Sequence, residues 1–269
     1  MRAAIPPILY GTAWKEQATE GCVAAALAAG FRGIDTANQR KHYFEAAVGQ
    51  GIARAGVPRD ELFLQSKFTY RDGQDDRLPY DPRAPIATQV AQSFASSLEH
   101  LATDWLDSLV LHGPSRRDGL GPADVEAWHA MEALVDADRV GRIGISNATA
   151  RQVEELVALA RVPVAFVQNR CYCERTWDRD VRAACARHGI VYQGFSLLTA
   201  NRYVLANDAV RAMATRHAAT PAQIVFRFAQ QLGMLPLTGT KDPEHMRQDL
   251  DVARFTLDAR ELAALEQLG

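Results

Sequence analysis

The sequence predicts an α/β protein folded as a single (β/α)8 barrel spanning residues 1–269, with its site at the C-terminal ends of the strands. Three observations predict it. Short, apolar, β-rich runs alternate strictly with helical patterns, and strict alternation calls for parallel strands joined by helical crossovers. Eight such units fit within 269 residues, the usual size of this barrel. An open doubly wound sheet usually carries a glycine-rich phosphate loop after its first strand, but the turn here reads GTAWKEQ. The nearest approach to that loop, DGLGPAD at 118–124, lies elsewhere and has a proline where a helix N-terminus should be open.

The elements follow in order. PILYG (7–11) reads as the first strand, and EQATEGCVAAALAAG (16–30) as a helix ending in glycine. RGIDTA (32–37) is the second strand, followed by a helix predicted to begin at Tyr43 in YFEAAVGQGIARAG (43–56). LFLQSKF (62–68) precedes a polar loop and the helix PIATQVAQSFASSLEHL (85–101). LDSLVLHG (106–113) precedes ADVEAWHAMEALVDAD (123–138), and VGRIGISN (140–147) precedes ATARQVEELVALA (148–160). PVAFVQN (163–169) leads to DRDVRAACARHG (178–189), and IVYQGFS (190–196) to helical stretches at 207–218 and 221–232. MLPLTGT (234–240) is the last strand, and DPEHMRQDL (242–250) follows it as a helix. Apolar residues recurring at three and four positions support the helices, and β-rich runs bounded by glycine and polar residues support the strands.

Composition narrows the function. The chain is 48% hydrophobic and 23% charged with a net charge of −2, an ordinary globular composition. A near-neutral chain is a poor nucleic-acid binder, since phosphate contacts need a basic surface. No apolar run approaches the ~20 residues that cross a bilayer, and the N-terminus lacks a signal peptide's apolar core, so a cytoplasmic protein without nucleic-acid or membrane partners is expected. Four cysteines without a second pair at zinc-ligand spacing are expected to be reduced, structural thiols. The seven histidines are scattered, with no H-x-H or H-E-x-x-H, so no metal is expected and a metal-dependent barrel hydrolase or lyase is disfavoured.

The strand ends hold the chemistry. Asp35, Lys67 and His112 end three successive strands, so an acid, an amine and an imidazole point into one bowl. A lysine after LFLQS carries a desolvation penalty unless a carboxylate pairs with it, and Asp35 is on the adjacent strand. A lone histidine after an apolar run can equally be a satisfied core residue. Ser146 and Asn147 end the fifth strand, Gln168 the sixth, Phe195 and Ser196 the seventh, and Thr238, Gly239 and Thr240 the eighth.

At these residues the sequence resembles the aldo-keto reductase family, whose members are (β/α)8, or TIM, barrels that bind NADPH without a Rossmann motif and reduce aldehydes and ketones. The matching pieces run through nearly the whole chain: GTAWK (11–15), GFRGIDTA (30–37), FLQSK (63–67), SLEHLATDWLDSLVLHGP (97–114), GRIGISN (141–147), VQNRCY (167–172), GFSLL (194–198) and PLTGTKDPEHMRQDL (236–250). The resemblance implies that Asp35, Lys67 and His112 are three members of a catalytic tetrad. The fourth is a tyrosine, usually five residues after the aspartate, where this chain has Arg40. Aligned backwards from EAAVG, the slot falls at His42, with Tyr43 one step on. Tyr43 is the preferred proton donor, its phenol acidified by a neighbouring Lys67 ammonium, and His42 is the alternative. Arg40 cannot readily give up a proton.

The resemblance also implies the cofactor contacts. Thr12, Asp35, Ser146, Asn147 and Gln168 would hold the nicotinamide end, with Phe195 stacking on the ring in place of the usual tyrosine. Ser196 and Leu198 match diphosphate contacts. Thr238, Gly239, Thr240, Lys241 and Arg247 fall where the family grips the adenosine 2′-phosphate, with Lys241 and Arg247 as cations at a helix N-terminus, and Gln248 and Asp249 replace a Glu-Asn pair that often touches adenine. Trp14, His42, Tyr43 and His112 would line the pocket of a small carbonyl substrate. The chain stops at Gly269, without the longer tail that closes over the substrate in many relatives, so an open pocket is expected in a monomer or small homo-oligomer. The unusual NQRKHYF segment leaves a second reading, an NADPH-binding barrel that acts as a redox-sensing or interaction subunit with little turnover.

Overall fold

In the computed structural model, residues 3–269 are described. Eight parallel strands close into a barrel in sequence order: β1 (Leu9–Gly11), β2 (Gly33–Asp35), β3 (Phe63–Phe68), β4 (Leu106–Leu111), β5 (Val140–Ser146), β6 (Val164–Arg170), β7 (Val191–Phe195) and β8 (Leu235–Thr238). β8 closes on β1 through the pair Tyr10 and Thr238. Around them run α1 (Thr19–Ala29), α2 (Glu45–Ala55), α3 (Ile86–Leu101), α4 (Pro122–Asp136), α5 (Ala150–Leu159), α6 (Arg179–Arg187), α7 (Arg202–Ala206), α8 (Asp208–Arg216), α9 (Pro221–Gln231), α10 (Pro243–Leu250) and α11 (Ala259–Glu266). No helix among the described residues is long and apolar enough to cross a membrane.

Alternation along the strands sorts the side chains into two cores. Ile34, Leu64, Leu109, Ile143 and Val167 face outward and join the layer between sheet and helices. Leu9, Phe63, Phe166, Leu235 and Leu237 face inward and form a separate apolar plug in the lumen. The plug needs two glycines beside it. A Cβ at Gly33 would lie 2.5 Å from the Leu9 side chain, and one at Gly144 would lie 2.5 Å from the Phe166 carbonyl oxygen. The register shift between Ile143 and Gly144 falls at this crowded point.

Two differences from the sequence reading matter for the site. The second helix begins at Glu45, not Tyr43, because Phe44 has non-helical backbone angles and Tyr43 closes a turn by donating its N–H to the Gln39 carbonyl at 3.0 Å. The connection after β6 carries a 3-10 turn, Cys173–Asp178, and a further short helix, α7, follows β7. The four cysteines are buried and free.

Candidate active site

The lumen becomes polar one layer above its plug. On β3 the inward series runs Phe63, Gln65, Lys67, so each step of two residues climbs one layer toward the mouth. Lys67 is buried and donates to both carboxylate oxygens of Asp35 at 2.7 Å and to the Thr36 carbonyl at 2.8 Å. Three acceptors match the three donors of an ammonium. Burial pushes the Lys67 amine below its ordinary value, and Asp35 opposes that shift. On the outward face of the same strand, Ser66 donates to the buried Glu45 at 2.5 Å, which ties α2 to β3 next to the pair.

Tyr43, in the turn before α2, sits over this pair. Its ring centroid is 5.2 Å from Lys67 Nζ and 5.9 Å from the His112 ring, which it meets edge-on. Burial, then the Asp35 carboxylate, push its phenol well above the usual value. The sequence reading expects Lys67 to acidify this phenol; in the resting site burial and the Asp35 carboxylate act the other way, and the three donors of Lys67 are turned to Asp35 and Thr36. His112 Nδ1 is 2.6 Å from the Thr69 hydroxyl, and burial followed by the Lys67 charge pushes its pKa down to about 3. His112 is thus a neutral imidazole at physiological pH.

His42, the alternative proton donor, lines the same cleft but turns its ring to Trp14. His42 stacks on Trp14 with ring centroids 3.9 Å apart, and burial and Lys41 push its pKa down. Trp14 itself is 63% exposed. Arg40 packs its guanidinium 4.0 Å over the Phe44 ring, outside the main cleft.

A single cleft of about 1140 Å³ runs from Trp14, His42, Tyr43 and His112 across the barrel mouth to Lys241 and Gln248. Asp35, Ser146, Asn147, Gln168, Phe195, Ser196, Leu198, Thr238, Gly239 and Thr240 also line it. Ser146 donates its hydroxyl to the Gln168 carbonyl at 2.6 Å, and Asn147 donates to the His112 carbonyl at 2.8 Å. Asn147 and Ser196 hold left-handed backbone angles, φ 55° and 57°, at the ends of β5 and β7. Thr238 donates to Asp249 at 2.6 Å, and burial pushes the Asp249 carboxyl up to about 6.

Two of the predicted cofactor residues are not on the cleft wall. Thr12 is fully buried, with its hydroxyl on the Asp35 carbonyl at 3.0 Å. Arg247 pairs with Glu244 on the exposed side of α10. The N-terminus of α10 is already capped by Asp242, which accepts from the Glu244 N–H at 2.7 Å. Lys241 therefore stands as the exposed cation at that end of the cleft.

The residue matching the family model for the "Aldo/keto reductase family" run from 8 to 269. An aldo-keto reductase of Mycolicibacterium vanbaalenii is 34% identical over 250 residues, 93% of this chain and 82% of that protein. A methylglyoxal reductase of Escherichia coli O157:H7 is 30% identical, covering 98% of this chain and 93% of its own length. The crystal structure of an aldo/keto reductase from Brucella melitensis superposes with a TM-score of 0.84 at 26% identity, covering 98% of this chain and 95% of that one. The chain belongs to the aldo-keto reductase family. It is accordingly an oxidoreductase of a family that reduces carbonyl groups and generally uses nicotinamide cofactors, on the (β/α)8 fold.

Within this aldo-keto reductase, two features of the cleft escaped the sequence reading. Lys15 lines the cleft, is 4% exposed, and donates to the Gly239 carbonyl at 2.7 Å. No carboxylate among the described residues pairs with it, its ammonium lies 5.0 Å from the Tyr10 ring centroid, and burial, opposed by Cys22 and aided by Lys241, holds its pKa down to about 8. Gln65 and Gln193 are fully buried beneath Asp35. The available signal was a glutamine at an inward position of two apolar strands.

Proposed function

We propose that this chain reduces aldehydes or ketones to alcohols with NADPH, with Tyr43 as proton donor and Asp35, Lys67 and His112 assisting. The observation that carries this reading is the Tyr43 ring lying against both Lys67 and His112, while His42 stacks on Trp14 and Arg40 on Phe44.

The cleft fits the cofactor. Lys15 is a buried cation without a carboxylate partner among the described residues, and such a charge calls for an anion, here the diphosphate. Lys241 would meet the 2′-phosphate, Phe195 offers a ring face to the nicotinamide, and Gln168 and Asn147 offer amides to its carboxamide. When bound, NADPH supplies a hydride to the substrate's carbonyl carbon.

The chain's own residues do the rest. His112, neutral and held through Nδ1 by Thr69, has Nε2 left to hydrogen-bond the carbonyl oxygen and orient it. Tyr43 gives its phenolic proton to that oxygen as it gains charge. The tyrosinate formed lies close to the Lys67 ammonium, which Asp35 holds in place. A phenol pushed up by burial stays protonated between turnovers, which suits reduction.

The test follows loss of reduced nicotinamide absorbance with a panel of small carbonyls, beginning with methylglyoxal because a relative bears that name. Tyr43→Phe is expected to lower kcat by roughly 10²–10⁴-fold while leaving NADPH binding within about twofold. His42→Ala is expected to alter KM with kcat retained. Collapse of kcat in His42→Ala with Tyr43→Phe active would move the proton donor to the imidazole.

A further inference from the structure

Three glutamines from three strands meet under the Asp35 carboxylate. Asp35 Oδ1 accepts from Gln65 Nε2 at 2.7 Å and from Gln168 Nε2 at 2.9 Å, in addition to Lys67. Gln193 Oε1 accepts from Gln65 Nε2 and from Gln168 Nε2, each at 2.8 Å. Gln193 Nε2 donates back to Gln65 Oε1 at 3.0 Å. Gln65 and Gln193 are fully buried, and Gln168 is 3% exposed where it lines the cleft.

The polarity of this network follows from Asp35. A carboxylate only accepts, so Gln65 and Gln168 must both turn their NH2 groups toward it. Each of those NH2 groups has a second proton, and only an oxygen on Gln193 can take both. Gln193 must then present its own NH2 to Gln65 Oε1. One assignment satisfies every bond, and in it both amide protons of Gln168 are committed within the barrel. The group left for the cleft is Gln168 Oε1, an acceptor.

Building on the NADPH reading, we propose that Gln65 and Gln193 are positioning residues that lock Gln168 as a hydrogen-bond acceptor, so that the cleft selects a nicotinamide bearing an N–H donor on its carboxamide. Neither glutamine touches the cofactor. They act by occupying the second amide proton of Gln168, which would otherwise be free to turn toward the cleft and donate. An analogue whose carboxamide is replaced by a methyl ketone can only accept, and it meets the Gln168 oxygen with its own. Its binding loses the hydrogen bond and leaves two acceptors facing each other in a desolvated site.

The experiment measures equilibrium affinity by quenching of intrinsic tryptophan fluorescence, for NADP+ and for its 3-acetylpyridine analogue. Wild type is expected to bind the analogue about tenfold or more weakly than NADP+. Gln193→Met keeps the side-chain length, frees one Gln168 proton, and is expected to shrink that ratio to within about threefold. Gln65→Met removes the other half of the reciprocal amide pair and should shift the ratio the same way, so it serves if Gln193→Met does not fold. A loss of packing alone would weaken both ligands together and leave the ratio unchanged. Folded variants that keep the wild-type ratio overturn the positioning role while NADP+ binding stands. Failure of wild type to bind NADP+ overturns the cofactor reading and this inference together.

Discussion

The two ends of the cleft are built on opposite plans. At the barrel axis the charges are buried and matched: the Lys67 ammonium faces three acceptors, and Asp35 Oδ1 collects an ammonium and two amide donors. At the far end Lys241 is exposed, and the buried Lys15 donates to the Gly239 carbonyl with its ammonium 5.0 Å from the Tyr10 ring centroid. Under the proposed function the axis is preorganised for a reacting group whose charge changes during the reaction, where fixed dipoles need no rearrangement. Under the proposed function the far end receives a ligand that brings its own charge, and Lys15 has no carboxylate partner among the described residues to compete with it.

This contrast can be broken most forcefully at Lys67. Lys67→Met leaves Asp35 buried with its ammonium gone, and unfolding by urea should show a loss of about 3–5 kcal/mol. An unchanged urea midpoint would mean that the two amides suffice for Asp35 and that the axis does not depend on a matched pair.

A smaller effect is expected at Lys15, and it acts on binding. Lys15→Met removes the one buried cation of the far end and should weaken NADPH by about tenfold or more with little change in stability. The pH dependence sharpens the point. The anion prefers the ammonium form, so the complex holds more protons than the free protein. Wild-type affinity should therefore be level below pH 8 and weaken as pH rises above the Lys15 value of about 8. Isothermal titration across that range should show this fall in wild type and its absence in Lys15→Met.

The smallest effect belongs to Arg247. Because it pairs with Glu244 and lies off the cleft wall, Arg247→Ala should change the preference for NADPH over NADH by less than about threefold. Lys241→Ala should reduce that preference several-fold more, as comparison of the two KM values would reveal. Equal effects would mean that Arg247 leaves Glu244 when the cofactor binds.

The barrel itself was legible because its pattern repeats eight times, so an error in one element leaves the alternation intact. The strand-end acid, amine and imidazole were legible for the same reason: their positions follow from where the strands stop. The start of α2 was not. Tyr43 and Phe44 read as helical, yet one is turned onto His112 and Lys67 and the other lies under Arg40, contacts made by residues distant in sequence or outside the helix. The balance of influences on the Tyr43 phenol was not legible, because sequence shows that an ammonium is near but not how deeply the phenol is buried or that the Asp35 carboxylate also acts on it. The Asp242 cap stands in the Asp-Pro-Glu string but competes with the reading of the same helix end as an anion site. Gln65 and Gln193 look like interruptions of two apolar strands until the barrel closes and brings them together across 128 residues.

The apolar plug of Leu9, Phe63, Phe166, Leu235 and Leu237 makes the barrel a blind well. Its floor offers a proton no relay, so under the proposed function the proton given up by Tyr43 would be replaced from above, through the mouth that substrate and product also use. Reloading the acid and clearing the product thus share one doorway, and a tightly held product would slow both.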